Sequence, residues 1–281
     1  MNITDLQVKV ASEEAVLGLQ KHMASIKYFA HNFTPDGDRE FGGVVVPVFN
    51  LSAAAEFAEG TNDWCGGENL SAQTVSLEKH FIKSIALEDI NTDISRATFL
   101  RDGARAIAET VGRAANKYVY GLINSTNVPL SATMPATKAA FAGLLKVCDD
   151  NGVNPYECVL ALNPENYAAL LGLLDYSVIG TSEAVKYGVV ENLFGFRAVV
   201  MTSYLPAGVK GAIIPYDTIG VVSRLNTPTV NGYVATWTAE DDNGFAIGFR
   251  VFEHLCYGKA FLGGDVLVGA RIMQPGIIRL V

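Results

Sequence analysis

A cysteine nucleophile is the first chemistry to test in this sequence: Cys65, in the run DWCGGE, has His80 further along the chain as a candidate base. A thiol attacks as the thiolate, so it needs a base, and the base needs a third group to orient it. No such third residue is visible. Two carboxylate pairs, Asp149-Asp150 and Asp241-Asp242, suggest acid/base or metal chemistry. Adjacent side chains point apart, however, and both pairs fall at the ends of predicted elements, where turn and cap roles suit them. Cys65, Cys148, Cys158 and Cys256 make no CxxC pair, and with 4 histidines they give no zinc-ligand spacing. They are expected as reduced, mostly buried thiols. No GxGxxG follows a strand and no GxxxxGK[ST] occurs, so no motif supports nucleotide binding. The expectation is a chain with no catalytic residue, no cofactor and no metal.

The charges exclude another class. Asp and Glu number 29 against 21 Lys and Arg, a formal net charge of −8, with no basic run or aromatic-basic stripe. The chain as a whole therefore cannot neutralise phosphates. Its 49% hydrophobic and 18% charged residues are rich in apolar and poor in charged surface, which leans towards an oligomer with large interfaces. A length of 281 residues suits one large domain or two closely connected ones. No apolar run reaches the roughly 18 to 20 residues of a membrane-spanning helix, and the N-terminus lacks a secretion pattern, so a cytoplasmic origin is expected.

The elements that must position these residues follow from periodicity. SEEAVLGLQKHM reads as a short amphipathic helix capped by Ser12, followed by a turn at Pro35, Asp36 and Gly37. This segment is expected as a surface arm, with a helix packed on its own domain as the alternative. FGGVVVPVFN, 41–50, predicts a strand with Pro47 at an edge or bulge. A second strand is predicted over 72–88, with Val75, Leu77, Phe81, Ile85 and Leu87 on one face. Between them lies the glycine-containing tip 51–71, so the pair is expected to form an extended hairpin projecting from its core. One of Asn91, Thr92 and Asp93 caps a helix over 94–124, in which Ala97, Leu100, Ala104, Ile107, Ala108, Val111, Ala115, Val119 and Leu122 recur every three or four residues. It would be on the order of 45 Å long. Gly103, Gly112 and Gly121 are expected as local close-packing positions along it.

An α/β portion follows. A helix over 136–150 buries Phe141, Leu144, Leu145 and Cys148 and stops at Asn151-Gly152; CVLAL is a buried strand; Asn163-Pro164 opens the helix of Tyr167, Leu170 and Leu171. FRAVVM and GAIIPY read as strands. Near the C-terminus YVATWTAEDD and GFAIGFRVFEHLCYG form a hairpin through Asn243-Gly244, with Phe245, Ile247, Phe249, Val251, Leu255 and Tyr257 on one face. The chain stays apolar to its last residue, so its end is expected inside a sheet.

Four stretches in this order resemble the major capsid proteins of tailed bacteriophages, of the Hong Kong 97-type fold. They are VLALNPENYAALLGL (159–173), VVENLFGFRAVVMTSYLPAG (189–208), GAIIPYDTIGVVS (211–223) and LVGARIMQPGIIRL (267–280). The resemblance implies an α+β fold divided into an N-terminal arm (1–38), an extended β-hairpin loop (39–90), a peripheral domain with a long spine helix (91–130), an axial domain (131–225) and the C-terminal sheet of the peripheral domain (226–281). It also implies a coat protein that assembles with itself into hexamers and pentamers, an icosahedral virion shell enclosing double-stranded DNA. That DNA would be contacted non-specifically, with a separate scaffolding protein and a portal as partners, and assembly would occur in the host bacterial cytoplasm. An encapsulin-type nanocompartment shell shares the fold and remains the alternative, with a cytoplasmic α/β enzyme behind it. The family's best-known variant cross-links through a lysine on the extended loop, but the tip here contains none. The room before Phe41 is also too short for the scaffolding segment that some relatives remove by proteolysis, so the resemblance implies either a separate scaffolding protein or a propeptide that precedes this sequence.

A contact hypothesis follows from the charges. The tip carries Glu56, Glu59, Asp63 and Glu68 with no cation, and Phe57 and Trp64 as apolar anchors; the long helix carries Arg96, Arg101, Arg105 and Arg113. The tip is expected to reach a neighbouring subunit and pair with such basic groups, a plain solvated loop being the alternative.

Overall fold

The computed structural model describes residues 5–23, 25–33, 43–50, 69–87, 93–174, 189–225, 233–240, 244–254 and 259–281. Helix α1 (Asp5–Met23) turns Ala11, Ala15 and Leu19 inward, a narrow stripe that lets a second helix approach closely. A short strand, β1 (Ala30–Asn32), follows, and then β2 (Gly43–Asn50) and β3 (Asn69–Ser76), which pair antiparallel from Gly43 opposite Ser76 to Asn50 opposite Asn69. This two-stranded ribbon is the expected hairpin; its tip lies outside the described residues. Strand β4 (Lys79–Leu87) leads to α2 (Asp93–Gly121), whose 29 residues extend about 44 Å at 1.5 Å each.

Next come β5 (Ser131–Ala132), α3 (Lys138–Asp150), β6 (Cys158–Leu162) and α4 (Pro164–Leu173). The Thr137 hydroxyl accepts from the Ala140 amide at 3.2 Å and so starts α3, while Gly152, at φ +67°, takes the left-handed conformation just past its end. The Asn163 side chain accepts from the Asn166 amide at 2.9 Å, and Pro164 follows where a missing amide costs nothing. The remaining strands are β7 (Val189–Leu193), β8 (Phe196–Met201), β9 (Gly211–Pro215), β10 (Ile219–Arg224), β11 (Tyr233–Glu240), β12 (Ala246–His254), β13 (Lys259–Ile272) and β14 (Ile278–Leu280).

These strands make two sheets. The first runs β1-β10-β13-β12-β11, with β4 on the opposite edge of β13. α2 lies across it: Leu100, Ala104, Ile107, Ala108, Val111, Ala115 and Val119 are buried with Phe249, Val251, Leu262, Val266 and Val268. The second runs β5-β14-β9-β6-β8-β7. One of its faces joins that same core through Val159, Ala161, Ala198, Val200, Ala212 and Ile214; the other carries α3 and α4 through Phe141, Leu144, Leu160, Tyr167 and Leu170. Both faces are covered, so every residue of CVLAL is buried.

Residues 5–23, within the segment 1–38, form a helix docked along α2, and Gly18 leaves room for it where a Cβ would sit 2.8 Å from the Arg105 carbonyl oxygen. Several expectations are corrected. Ser12 is no cap: it lies inside α1, and its hydroxyl donates to the Thr238 carbonyl at 3.1 Å. The single strand expected over 72–88 is two, β3 paired with β2 and β4 paired with β13. Strand pairing crosses residue 225 in both directions: β10 pairs with β13 in the first sheet, and β14 crosses back to pair with β9 and β5 in the second. Gly103 is a close-packing position, where a Cβ would lie 3.2 Å from Leu262 Cδ2, but Gly121 faces open space. The C-terminus is tied into a sheet as expected, the Val281 amide donating to the Ala132 carbonyl at 3.1 Å.

Candidate functional site

The acidic tip residues Glu56, Phe57, Glu59, Asp63, Trp64 and Glu68 lie outside the described residues, as do Cys65 and Asp241-Asp242. The arginines expected to face them lie on α2. The side chain of Arg96 is outside the described set. Arg101 Nε donates to Asp102 Oδ1 at 2.9 Å; that hydrogen bond, the Asp102 charge and the more distant Glu14 raise its pKa above the ordinary guanidinium value. Arg105 reaches across to α1, 3.3 Å from Glu14, and along its own helix to Glu109 at 3.4 Å. Two of the expected basic partners are therefore already answered by carboxylates of their own chain. Arg113 is exposed.

A second charged group was not foreseen. Asp265, on β13, has a side chain 5% exposed, and it accepts from His80 on β4 (Nε2 to Oδ2, 2.8 Å) and from Arg250 on β12 (3.1 Å to Oδ1). The register brings them together: Asp265 stands opposite Gly248 and Ile82, so His80 and Arg250 are its diagonal neighbours on one face. Arg250 also lies over the Tyr233 ring at 5.6 Å. A lone carboxylate inside the apolar, glycine-flanked run GGDVLVG is the signal that could have pointed here, since a buried charge demands partners. The cluster holds three strands together and presents no nucleophile.

His80, the base considered for Cys65, is thus engaged by Asp265. Asp149 and Asp150 close α3 and are exposed, as turn and cap residues are. Cys148 and Cys158 are free and buried. Among the described residues no cluster of His, Cys, Asp and Glu is placed to hold a metal ion. No helix among them is long and apolar enough to cross a membrane.

The backbone is similar to shell proteins of known structure. A chain of Mycobacterium phage Che8 matches at TM-score 0.52 and 16% identity, over 85% of this chain and 84% of that one. The head of Helicobacter pylori bacteriophage KHP40 matches at TM-score 0.58 and 11% identity, over 89% and 86%. The capsid of an empty GTA particle matches at TM-score 0.56 and 12% identity, over 91% and 94%. At such identities the likeness is one of fold, and the fold is the Hong Kong 97-type capsid fold, mixed α and β. No curated protein matches the chain. The family model described as phage capsid protein matches residues 71–263, well over half the sequence, and the chain belongs to that family. Its role is that of a major capsid protein, a structural component of the virion shell that assembles with copies of itself.

Proposed function

We propose that copies of this chain, gathered as hexamers and pentamers, close an icosahedral shell around the double-stranded DNA of a tailed phage. The observation that carries this is the conjunction of the capsid family match with a fold that holds a separate two-stranded ribbon beside two sheets. Exposed strand edges and a protruding ribbon are liabilities in a monomer and become contacts in a shell, where many weak interfaces reinforce one another. A net charge of −8 fits a coat whose genome is driven in by a motor through a portal rather than condensed by the coat itself. A separate scaffolding protein sets the curvature, and assembly takes place in the host cytoplasm. The residues 1–38, 39–90, 131–225 and the flanking peripheral segments 91–130 and 226–281 serve as arm, extended loop, axial and peripheral parts.

The tip residues Glu56, Phe57, Glu59, Asp63, Trp64 and Glu68 contact a neighbouring subunit. Expression alone and with candidate scaffolding proteins, followed by electron microscopy and sedimentation, tests the reading. Shells, tubes or capsomers are expected; a stable monomer under both conditions overturns it. Reversing Glu56 and Glu59 to lysine is expected to impair assembly without unfolding the subunit, and normal shells from that variant would remove the tip from the contact.

A further inference from the structure

No CxxC spacing links Cys148 to Cys158, but the turn from α3 to β6 does. Cys148 lies in the last turn of α3 and Cys158 is the first residue of β6, both at 0% exposure in the core between that helix and the second sheet. Both are free thiols. Their side chains meet there, the Cys158 thiol within hydrogen-bond reach of the Cys148 sulfur.

The segment that joins them is held by its own hydrogen bonds. The Cys148 carbonyl accepts from the Asn151 amide at 3.1 Å and from the Val153 amide at 2.9 Å, and Gly152, at φ +67°, turns the chain back. The Asn154 side chain accepts from the Tyr156 amide at 3.2 Å, and the Asn154 carbonyl oxygen lies 3.1 Å from Cys158 Sγ. A turn fixed at both ends keeps the two sulfurs together, so the entropy of closing the loop is already spent in the folded chain. Asp149, Asp150, Asn151, Gly152 and Asn154 are exposed, which places the pair close beneath the surface on that side.

Those contacts separate the roles of the two sulfurs. The Cys158 proton has two acceptors, the Cys148 sulfur and the Asn154 carbonyl, so Cys158 keeps it. The hydrogen bond from Cys158 draws the Cys148 pKa below its ordinary value, against the opposing effect of burial. Cys148 is thus the attacking sulfur and Cys158 the one that completes the bond. We propose that Cys148 and Cys158 form a redox site at which hydrogen peroxide makes an intrachain disulfide, stapling α3 to the start of β6. In the first step the Cys148 thiolate attacks a peroxide oxygen, the O–O bond breaks, and Cys148 becomes a sulfenic acid. The hydroxide that leaves takes up the proton Cys148 released on ionising. In the second step Cys158 Sγ attacks Cys148 Sγ, the S–O bond breaks, and the Cys158 proton goes to the departing hydroxide. Two thiols and one peroxide give one disulfide and two waters; the sulfurs lose two electrons and the peroxide gains them. Peroxide is small enough to reach sulfurs that a bulkier alkylating reagent meets only on unfolding. A glutathione-reduced compartment keeps such a pair as thiols, so the staple follows folding and forms only when the chain meets the oxidant.

Folded subunits of the unaltered chain, treated with hydrogen peroxide and then unfolded in the presence of N-ethylmaleimide to block every remaining thiol, provide the test. Cleavage on the N-terminal side of Asp149 puts the two cysteines in separate peptides. Those peptides are expected to stay joined, at their summed mass less two hydrogen atoms, and to separate with dithiothreitol. Oxidised subunits are expected to melt about 5 °C above reduced ones, since closing a short loop removes entropy from the unfolded chain. In Cys158→Ala the same treatment is expected to leave Cys148 as a sulfenic acid that dimedone captures, whereas in Cys148→Ala the Cys158 thiol is expected to persist. The joined peptide from the unaltered chain decides the matter even where a variant fails to fold. Recovery of Cys148 and Cys158 as two maleimide adducts overturns the proposal, as does a joined peptide that pairs either of them with Cys65, with Cys256 or with a second copy of the chain. Dimedone capture at Cys158 in place of Cys148 overturns the assignment of attacking sulfur.

Discussion

Gly269 on β13 lies directly beneath the Ser76 carbonyl at the end of β3, with no space for a side chain between them. A Cβ there would strike that carbonyl and come within 3.0 Å of Val222 Cγ1. The obstacle is backbone, which cannot swing aside as a flexible side chain can. This contact, with Val44, Val75, Val222 and Met273 packed around it, sets the point where the ribbon leaves the first sheet. Gly269→Ala is expected to destabilise the subunit by about 1–3 kcal/mol. Gly248→Ala, where a Cβ would meet nothing nearer than 3.7 Å, is expected to stay within about 1 kcal/mol. Equal shifts of the two variants in urea unfolding would contradict the steric account.

Asp265 anchors the charged cluster of the first sheet. Replacing it with alanine removes the Asp265 carboxylate from Arg250, whose side chain is only 16% exposed. Breaking a buried pair from one side costs about 3–5 kcal/mol, because the remaining buried charge loses a carboxylate that compensates it. His80 is half-open to solvent, so His80→Gln is expected to cost about 1 kcal/mol or less. Denaturant midpoints of the two variants should fall in that order; the reverse order would mean that the histidine, rather than the carboxylate, organises the cluster.

Much of this fold was legible because local chemistry and tertiary environment agree. The apolar recurrence from Leu100 to Val119 became the buried face of α2, and Asn163 caps α4 as its residue type suggests. The break at Leu77-Glu78 was hidden for a physical reason. Val75, Leu77, Phe81 and Ile85 all turn inward, so the alternation runs unbroken while the hydrogen-bond partner changes from β2 to β13. Sheet membership is a non-local choice, and nothing within VVSR says that β10 belongs beside β13 rather than with β9. Ser12 has the residue type of a cap but sits inside a helix, since capping depends on where the chain turns rather than on the side chain alone. The meeting of His80, Arg250 and Asp265 likewise depends on strand register across the chain. Arginine count suggested the basic face of α2, but only the packing of α1 shows which arginines are already paired.

Cys148 and Cys158 lie side by side between α3 and β6, and Cys158 Sγ is 3.1 Å from the Asn154 carbonyl oxygen. The neighbouring Cys148 thiol, and burial after it, push the Cys158 thiol well above its ordinary range. The thiolate is the reactive form, so Cys158 should resist alkylation in the folded subunit. Peptide mass spectrometry after iodoacetamide at pH 8, in a background lacking Cys65 and Cys256, is expected to show Cys158 modified only at the rate of unfolding. Rapid modification of Cys158 in the native state would contradict its burial.

The Tyr120 phenol is fully buried against Phe29, with ring centroids 5.3 Å apart. Its hydroxyl lies beside Ser25 and Thr202 without a hydrogen bond of good geometry to a protein partner. Burial is the main cause that raises its pKa from 10 to about 12. The folded state therefore holds this proton more tightly than the unfolded chain does. The corresponding stability is fully present below about pH 10 and is lost as the pH rises through about 12. A shift of this size corresponds to about 3 kcal/mol. Tyr120→Phe removes both the titration and the poorly bonded hydroxyl, so it should be close to neutral at pH 7. Between pH 10 and 12 its stability should fall less steeply than that of the unaltered subunit. Tyr118 and Tyr167, also shifted upward by burial, leave a residual slope in both proteins. Urea unfolding at successive pH values from 8 to 12 measures the difference, and parallel curves for the two proteins would show that Tyr120 keeps its ordinary affinity for the proton.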